Sequence, residues 1–138
     1  MRRMTDIVRN QNPLVLSANA TVRHACQSMR ERKVGAVLVI DQKGHLLGIF
    51  TGRDAIGRVL AEGKDAERTR IGDVMTPDPR TVPPERSAID ALRLMSDLGC
   101  RHIPIVEHGR VVGIVSRADF RGLEVDRLDE ETGLWERI

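Results

Sequence analysis

Apolar positions fall into the same succession of spacings twice along the chain. Val22, Ala25, Cys26 and Met29 recur at three- and four-residue intervals behind Thr21, and Ala88, Ala91, Leu92 and Met95 recur behind Ser87. Each set predicts an amphipathic helix with a hydroxyl residue at its N-cap. After each helix comes a short apolar run (36–40 or 102–106), a polar glycine-containing turn ("DQKG" or "EHG"), and a second apolar run (45–50 or 110–115). Paired runs around such a turn predict a β-hairpin. A further helix is expected over roughly 53–62 and 117–125 from the local spacing. A short extended stretch, "LVLS" or "RTVP", precedes each first helix.

The chain is therefore read as α/β, with two tandem β-α-β-β-α repeats packed with pseudo-twofold symmetry. Asp54 and Asp119 lie 65 residues apart, as do Gly48 and Gly113, whereas Ala25 and Ala91 lie 66 apart. The second copy has one residue fewer at the hairpin turn, where an indel is best tolerated. The first repeat is expected over 6–62, a linker over 63–72, the second repeat over 73–127 and a tail over 128–138. The joining stretch "GKDAERTRIGDVMTPDP" carries glycine, charges and two prolines, which suits a connector. A single copy holds too little core to be stable alone, so two copies are expected to fold together.

Composition narrows the functional classes. The chain has 138 residues, 41% hydrophobic and 30% charged, which suits a soluble globular domain. With two Phe, one Trp and no Tyr, the core must be aliphatic, and base-stacking platforms are scarce. A net charge of +2 gives no electrostatic footprint for nucleic acid. The longest apolar run, Ala36 to Ile40, cannot cross a bilayer, and the first residues lack the apolar core of a signal peptide. No nucleic acid and no membrane are expected as partners. A cytoplasmic location follows as the expectation, with Cys26 and Cys100 reduced. Cys26 is expected in the core, His108 in a turn. The histidines are scattered and no metal is expected. No catalytic triad, P-loop or dinucleotide fingerprint is found, and no catalytic residue is assigned.

Two motifs stand in register: "GAVLVIDQKGHLLGIFTGRD" (35–54) and "RHIPIVEHGRVVGIVSRAD" (101–119), with "IGDVMTPDPRTVP" (71–83) opening the second copy. Together they resemble a tandem pair of CBS domains, over nearly the whole chain. The resemblance implies clefts between two facing sheets that bind adenosine-containing ligands. AMP, ADP and ATP are the leading candidates, S-adenosylmethionine and NAD secondary ones. It also implies a homodimer, and an effector protein whose identity is unknown.

By the resemblance, Asp54 and Asp119 take the ribose position, where a carboxylate accepts from both hydroxyls of a diol. Thr51 and Ser116 offer hydroxyls where a strand passes into a helix, and Arg53 and Arg117 stand beside them as phosphate donors. Arg101 and His102 are further phosphate contacts, present only in the second copy, since Gly35 and Ala36 occupy those places in the first. Thr81 matches an adenine-lining position, and Ile103 and Pro104 are expected as pocket walls. Thr51-x-x-Asp54 and Ser116-x-x-Asp119 equally fit helix capping boxes, which need no ligand. The expected function is regulatory and non-catalytic: an adenosine-nucleotide sensor with no enzyme activity. The alternative is a structural dimerisation module with empty clefts.

Overall fold

The computed structural model describes residues 2–120. Trp135, the acidic tail and the expected helical residues beyond Phe120 lie outside the described residues. In chain order the elements are α1 (Met4–Val8), β1 (Val15–Ser17), α2 (Val22–Arg32), β2 (Ala36–Ile40) and β3 (Leu46–Thr51). Next are α3 (Gly52–Asp54) with a π-helical continuation (Ala55–Leu60), α4 (Ile71–Val74), β4 (Thr76–Pro77), α5 (Ala88–Leu98), β5 (His102–Glu107), β6 (Arg110–Ser116) and a 3-10 turn (Arg117–Asp119). The class is mixed α/β, as expected, with two tandem repeats. The connector between them carries α4 and β4.

The chain divides into two compact units. One holds Asn12–Pro79 and His108–Val111. Its sheet runs β1-β2-β3-β4, with β1 parallel to β2 and the remaining pairs antiparallel. Central β2 is buried at four of its five positions, the pattern of a strand covered on both faces. Thr21 caps α2 by accepting from the His24 N–H at 3.1 Å. The helix lays Val22, Ala25 and Met29 against Val37, Val39 and Phe50 of the sheet, and Ile71 and Val74 of α4 join the same core. Cys26 packs at its edge, half-buried.

The other unit comprises the described parts of Met1–Gln11, Arg80–Glu107 and Val112–Ile138. Ser87 caps α5 by accepting from the Asp90 N–H at 3.3 Å. Ala88, Ala91, Leu92 and Met95 pack with Ile103, Ile105 and Val115. β5 pairs with β6, and Val82 bridges Ile105 in parallel, where the first repeat has the full strand β1. Helix α1 belongs to this unit: the Met4 N–H donates to the Arg86 carbonyl at 2.9 Å, and Met4 and Val8 enter the core. Its role here matches that of α4 in the first unit.

The one-residue difference between the hairpins is a difference of turn type. In the first, Asp41 Oδ1 accepts from the Lys43 and His45 N–H groups, and Gly44 at φ +84° closes a three-residue loop. Beyond the loop a register shift at Val39/Ile40 leaves Leu47 as an extra residue on β3. In the second, His108 (φ +53°) and Gly109 (φ +81°) make a two-residue turn with both residues left-handed.

Candidate functional site

The segment after each hairpin's second strand is built alike in both copies. As β3 ends, the Thr51 N–H and Oγ1 donate to Asp54 Oδ2 at 3.0 and 3.2 Å, and the Asp54 N–H donates back to Thr51 Oγ1 at 3.3 Å. As β6 ends, the Ser116 N–H and Oγ donate to Asp119 Oδ2 at 2.6 and 3.3 Å. The capping reading of both motifs is therefore met. A second equivalent bond pins the strand ends: Gly52 N–H to Gly35 carbonyl at 3.2 Å, and Arg117 N–H to Arg101 carbonyl at 3.1 Å.

The second carboxylate oxygen separates the copies. Asp54 Oδ1 receives the Thr76 hydroxyl at 3.5 Å and faces Arg58 Nε at 3.5 Å, and the residue is buried. Thr76 and Arg58 were not singled out in the sequence, although Arg58 stands at helical i+4 spacing from Asp54, an available signal. Asp119 is half-buried, and its Oδ1 accepts no hydrogen bond among the described residues. Its backbone carbonyl accepts from Arg2 at 3.0 Å.

Charge gathers around Asp119. The Arg117–Arg101 backbone bond brings two arginines to the end of β6, both exposed. Beside them, burial pushes the His102 imidazole below its usual value; the Asp119 carboxylate pulls it upward and Arg101 pushes it further down. At the equivalent places the first copy has Gly35, Ala36 and Gly52, which carry no cation. Arg53 is exposed next to Asp54. Thr81 is exposed and precedes the bridging Val82; Ile103 is fully buried in the core, and Pro104 is buried in β5 with its carbonyl accepting from Val82. Ser116, Asp119, Arg101, His102 and Arg117 thus come together, while Thr51 and Arg53 accompany Asp54 in the other unit. An open depression of about 530 Å³ lies elsewhere, lined by Arg3, Pro83, Glu85, Arg86, Ser87 and Asp90. Its charges balance, so it selects for neither sign.

Residues 4–61 and 71–126 each match the family model of the CBS domain. The chain belongs to the CBS domain family. It is 39% identical over 108 residues to the CBS domain-containing protein CBSCBSPB2 of Arabidopsis thaliana, covering 78% of this chain and 20% of that protein. The chain thus spans only about a fifth of that relative's length. The CBS domain-containing protein YhcV of Bacillus subtilis is 35% identical over 117 residues, which cover 85% of this chain and 80% of YhcV. Among solved structures, a CBS domain protein of Pyrobaculum aerophilum complexed with AMP superposes with a TM-score of 0.82 at 21% identity, over 93% of this chain and 98% of that one. That likeness concerns the fold of the CBS pair. Among the described residues no helix is long and apolar enough to cross a membrane.

Proposed function

We propose that this CBS pair is a regulatory, non-catalytic module that binds an adenosine nucleotide of the AMP, ADP or ATP type through its second repeat. Asp119 carries the reading. Its Oδ2 is spent on the capping turn, while Oδ1 accepts nothing among the described residues; the residue is half-buried, with Arg101, His102 and Arg117 close by. An open carboxylate oxygen accepts from ribose hydroxyls, and the neighbouring cations suit phosphate. The AMP complex of the Pyrobaculum protein supports the capacity of the fold for such a ligand. The signal passes to an effector protein by a difference in affinity between two states of the module. Exposed Ile56 (64%) and Leu60 (70%) on the π-helical segment support pairing with a second copy, which a sedimentation mass measures.

The test is calorimetric titration with AMP, ATP, S-adenosylmethionine and NADH on the wild type and on Asp119→Asn. Asparagine keeps an acceptor for the Ser116 N–H but loses the charge, so the turn survives. Loss of a charge-assisted bond weakens binding by roughly 10- to 100-fold. Equal binding by the variant removes Asp119 from the site. A specific observation favours a second reading, a structural module with empty clefts: both carboxylates already serve capping turns. It predicts no thermal shift with any adenosine compound.

A further inference from the structure

Asp54 is held by groups that lie outside its own turn. Thr76, in β4, donates its hydroxyl to Oδ1, and the Arg58 guanidinium faces the same oxygen. Arg58 also donates to the Met75 carbonyl at 2.7 Å and to the Val74 carbonyl at 3.4 Å. One side chain therefore ties the helix after β3, the Asp54 carboxylate and the entry to β4. The capping turn uses Oδ2 and does not need these bonds. The Arg58 side chain is 50% exposed and that of Asp54 11%, so the arginine is free to swing into solvent while the carboxylate requires a partner where it stands.

We propose that Arg58 and Thr76 form a latch that keeps Asp54 from ligands, and that a vicinal diol reaches Asp54 only by displacing Arg58 and loosening β4. Diol hydroxyls would replace Arg58 and Thr76 at Oδ1, leaving the carboxylate satisfied in either state. The displaced guanidinium gives up the Val74 and Met75 carbonyls, so occupancy at Asp54 is read out in the connector. Arg58 is a positioning residue in this scheme. The inference rests on the nucleotide reading above for its ligand, and on the geometry of one unit for its latch.

Two measurements on the full chain separate these dependences. Amide hydrogen exchange at Thr76 and Asp78 is compared in wild type, Arg58→Gln and Thr76→Val. AMP stoichiometry is then measured by calorimetry in the same proteins and in Arg58→Gln combined with Asp119→Asn. Exchange is expected to quicken on the order of tenfold in Arg58→Gln and less in Thr76→Val. AMP uptake is expected to rise from about one to about two per chain in Arg58→Gln, because removing a competing closed state raises apparent affinity. The added site should survive Asp119→Asn. Unchanged exchange in both single variants overturns the latch. Faster exchange with no added site, in a protein whose wild type binds AMP, overturns the gating of Asp54. If no variant binds AMP, the nucleotide reading and the gating fail together, and exchange alone decides whether the latch exists.

Discussion

Replacing Gly48 by alanine probes why the second hairpin strand of each repeat carries a glycine, Gly48 or Gly113. Gly48 sits in β3 opposite Pro77 of β4, and neither its φ nor a turn demands glycine. Space does. A Cβ there would meet Met75 Sδ at 2.5 Å and the Thr76 carbonyl oxygen at 2.7 Å. The thioether can swing away; the carbonyl belongs to a backbone paired to β3, and must shift. Overpacking costs of this kind are about 1–3 kcal/mol, and alanine recovers roughly 0.5–1 kcal/mol of backbone entropy, leaving a net loss centred on about 1–2 kcal/mol. In a chain of this size that lowers Tm by roughly 3–6 °C. Gly57→Ala is the internal control: nothing lies within 4 Å of its Cβ in the exposed helical segment, so the entropy gain stands alone. Differential scanning calorimetry of the two variants reads both signs. A Gly48→Ala protein as stable as the wild type would show that β4 yields freely, and the close-approach argument would be refuted. Pairing it with Met75→Ala sharpens the test, since relief at Sδ leaves the clash with the carbonyl.

Lys33 ends α2 at φ +55°, at the place where Gly99 ends α5 at φ +68°, so Lys33→Gly should remove left-handed strain and raise ΔG of unfolding by about 0.5–1 kcal/mol in a denaturant titration; a destabilised variant would contradict this. His102 titrates below its usual 6.5, chiefly through burial, so the folded chain binds its proton less readily than the unfolded chain. Its contribution is present above pH 6.5 and is lost as pH falls through the depressed value. The slope of Tm against pH should flatten there in His102→Gln, and an NMR titration of wild-type His102 giving a value at or above 6.5 would reverse the sign.

The repeat was legible because duplication preserved patterns that backbone geometry reads directly. Thr21 and Ser87 act as N-caps as their spacing indicated, and the deleted turn residue became a change from a three-residue loop to a two-residue turn. The connector was harder to read. "VMTPDP" has prolines on either side of Asp78, yet Thr76 and Pro77 pair with β3, because proline is tolerated at a sheet edge. Nor does any local period reveal that α1 packs with the second repeat, since that is a contact between residues some 80 positions apart, as in Thr5 Oγ1 donating to the Pro84 carbonyl. The π-helical winding of Ala55–Leu60 was likewise hidden, the local spacing having suggested an ordinary helix. That winding turns Asp54 and Val59 inward together and leaves Ile56 and Leu60 exposed.

The two carboxylates show why capping and ligand binding are compatible readings of one motif. A carboxylate has two oxygens, and the turn occupies only one. Duplication would copy the turn faithfully, so the turn alone says nothing about ligands; the partner of the remaining oxygen does. Met75 and Val8 each press on the motif glycine of their own unit, which aligns the segment after α4 with the segment after α1. In the first, the next residue is Thr76, whose hydroxyl reaches Asp54. In the second, it is Arg9, which pairs with Asp6 at 3.4 Å, and among the described residues nothing donates to Asp119 Oδ1. The inequality of the two repeats thus arises partly in the segments that precede each repeat's first strand, where Thr76 reaches Asp54, and partly inside the motif, where Arg101, His102 and Arg117 stand against Gly35, Ala36 and Gly52. Thr76→Val therefore alters the surroundings of one carboxylate, Asp54, while leaving both capping turns in place.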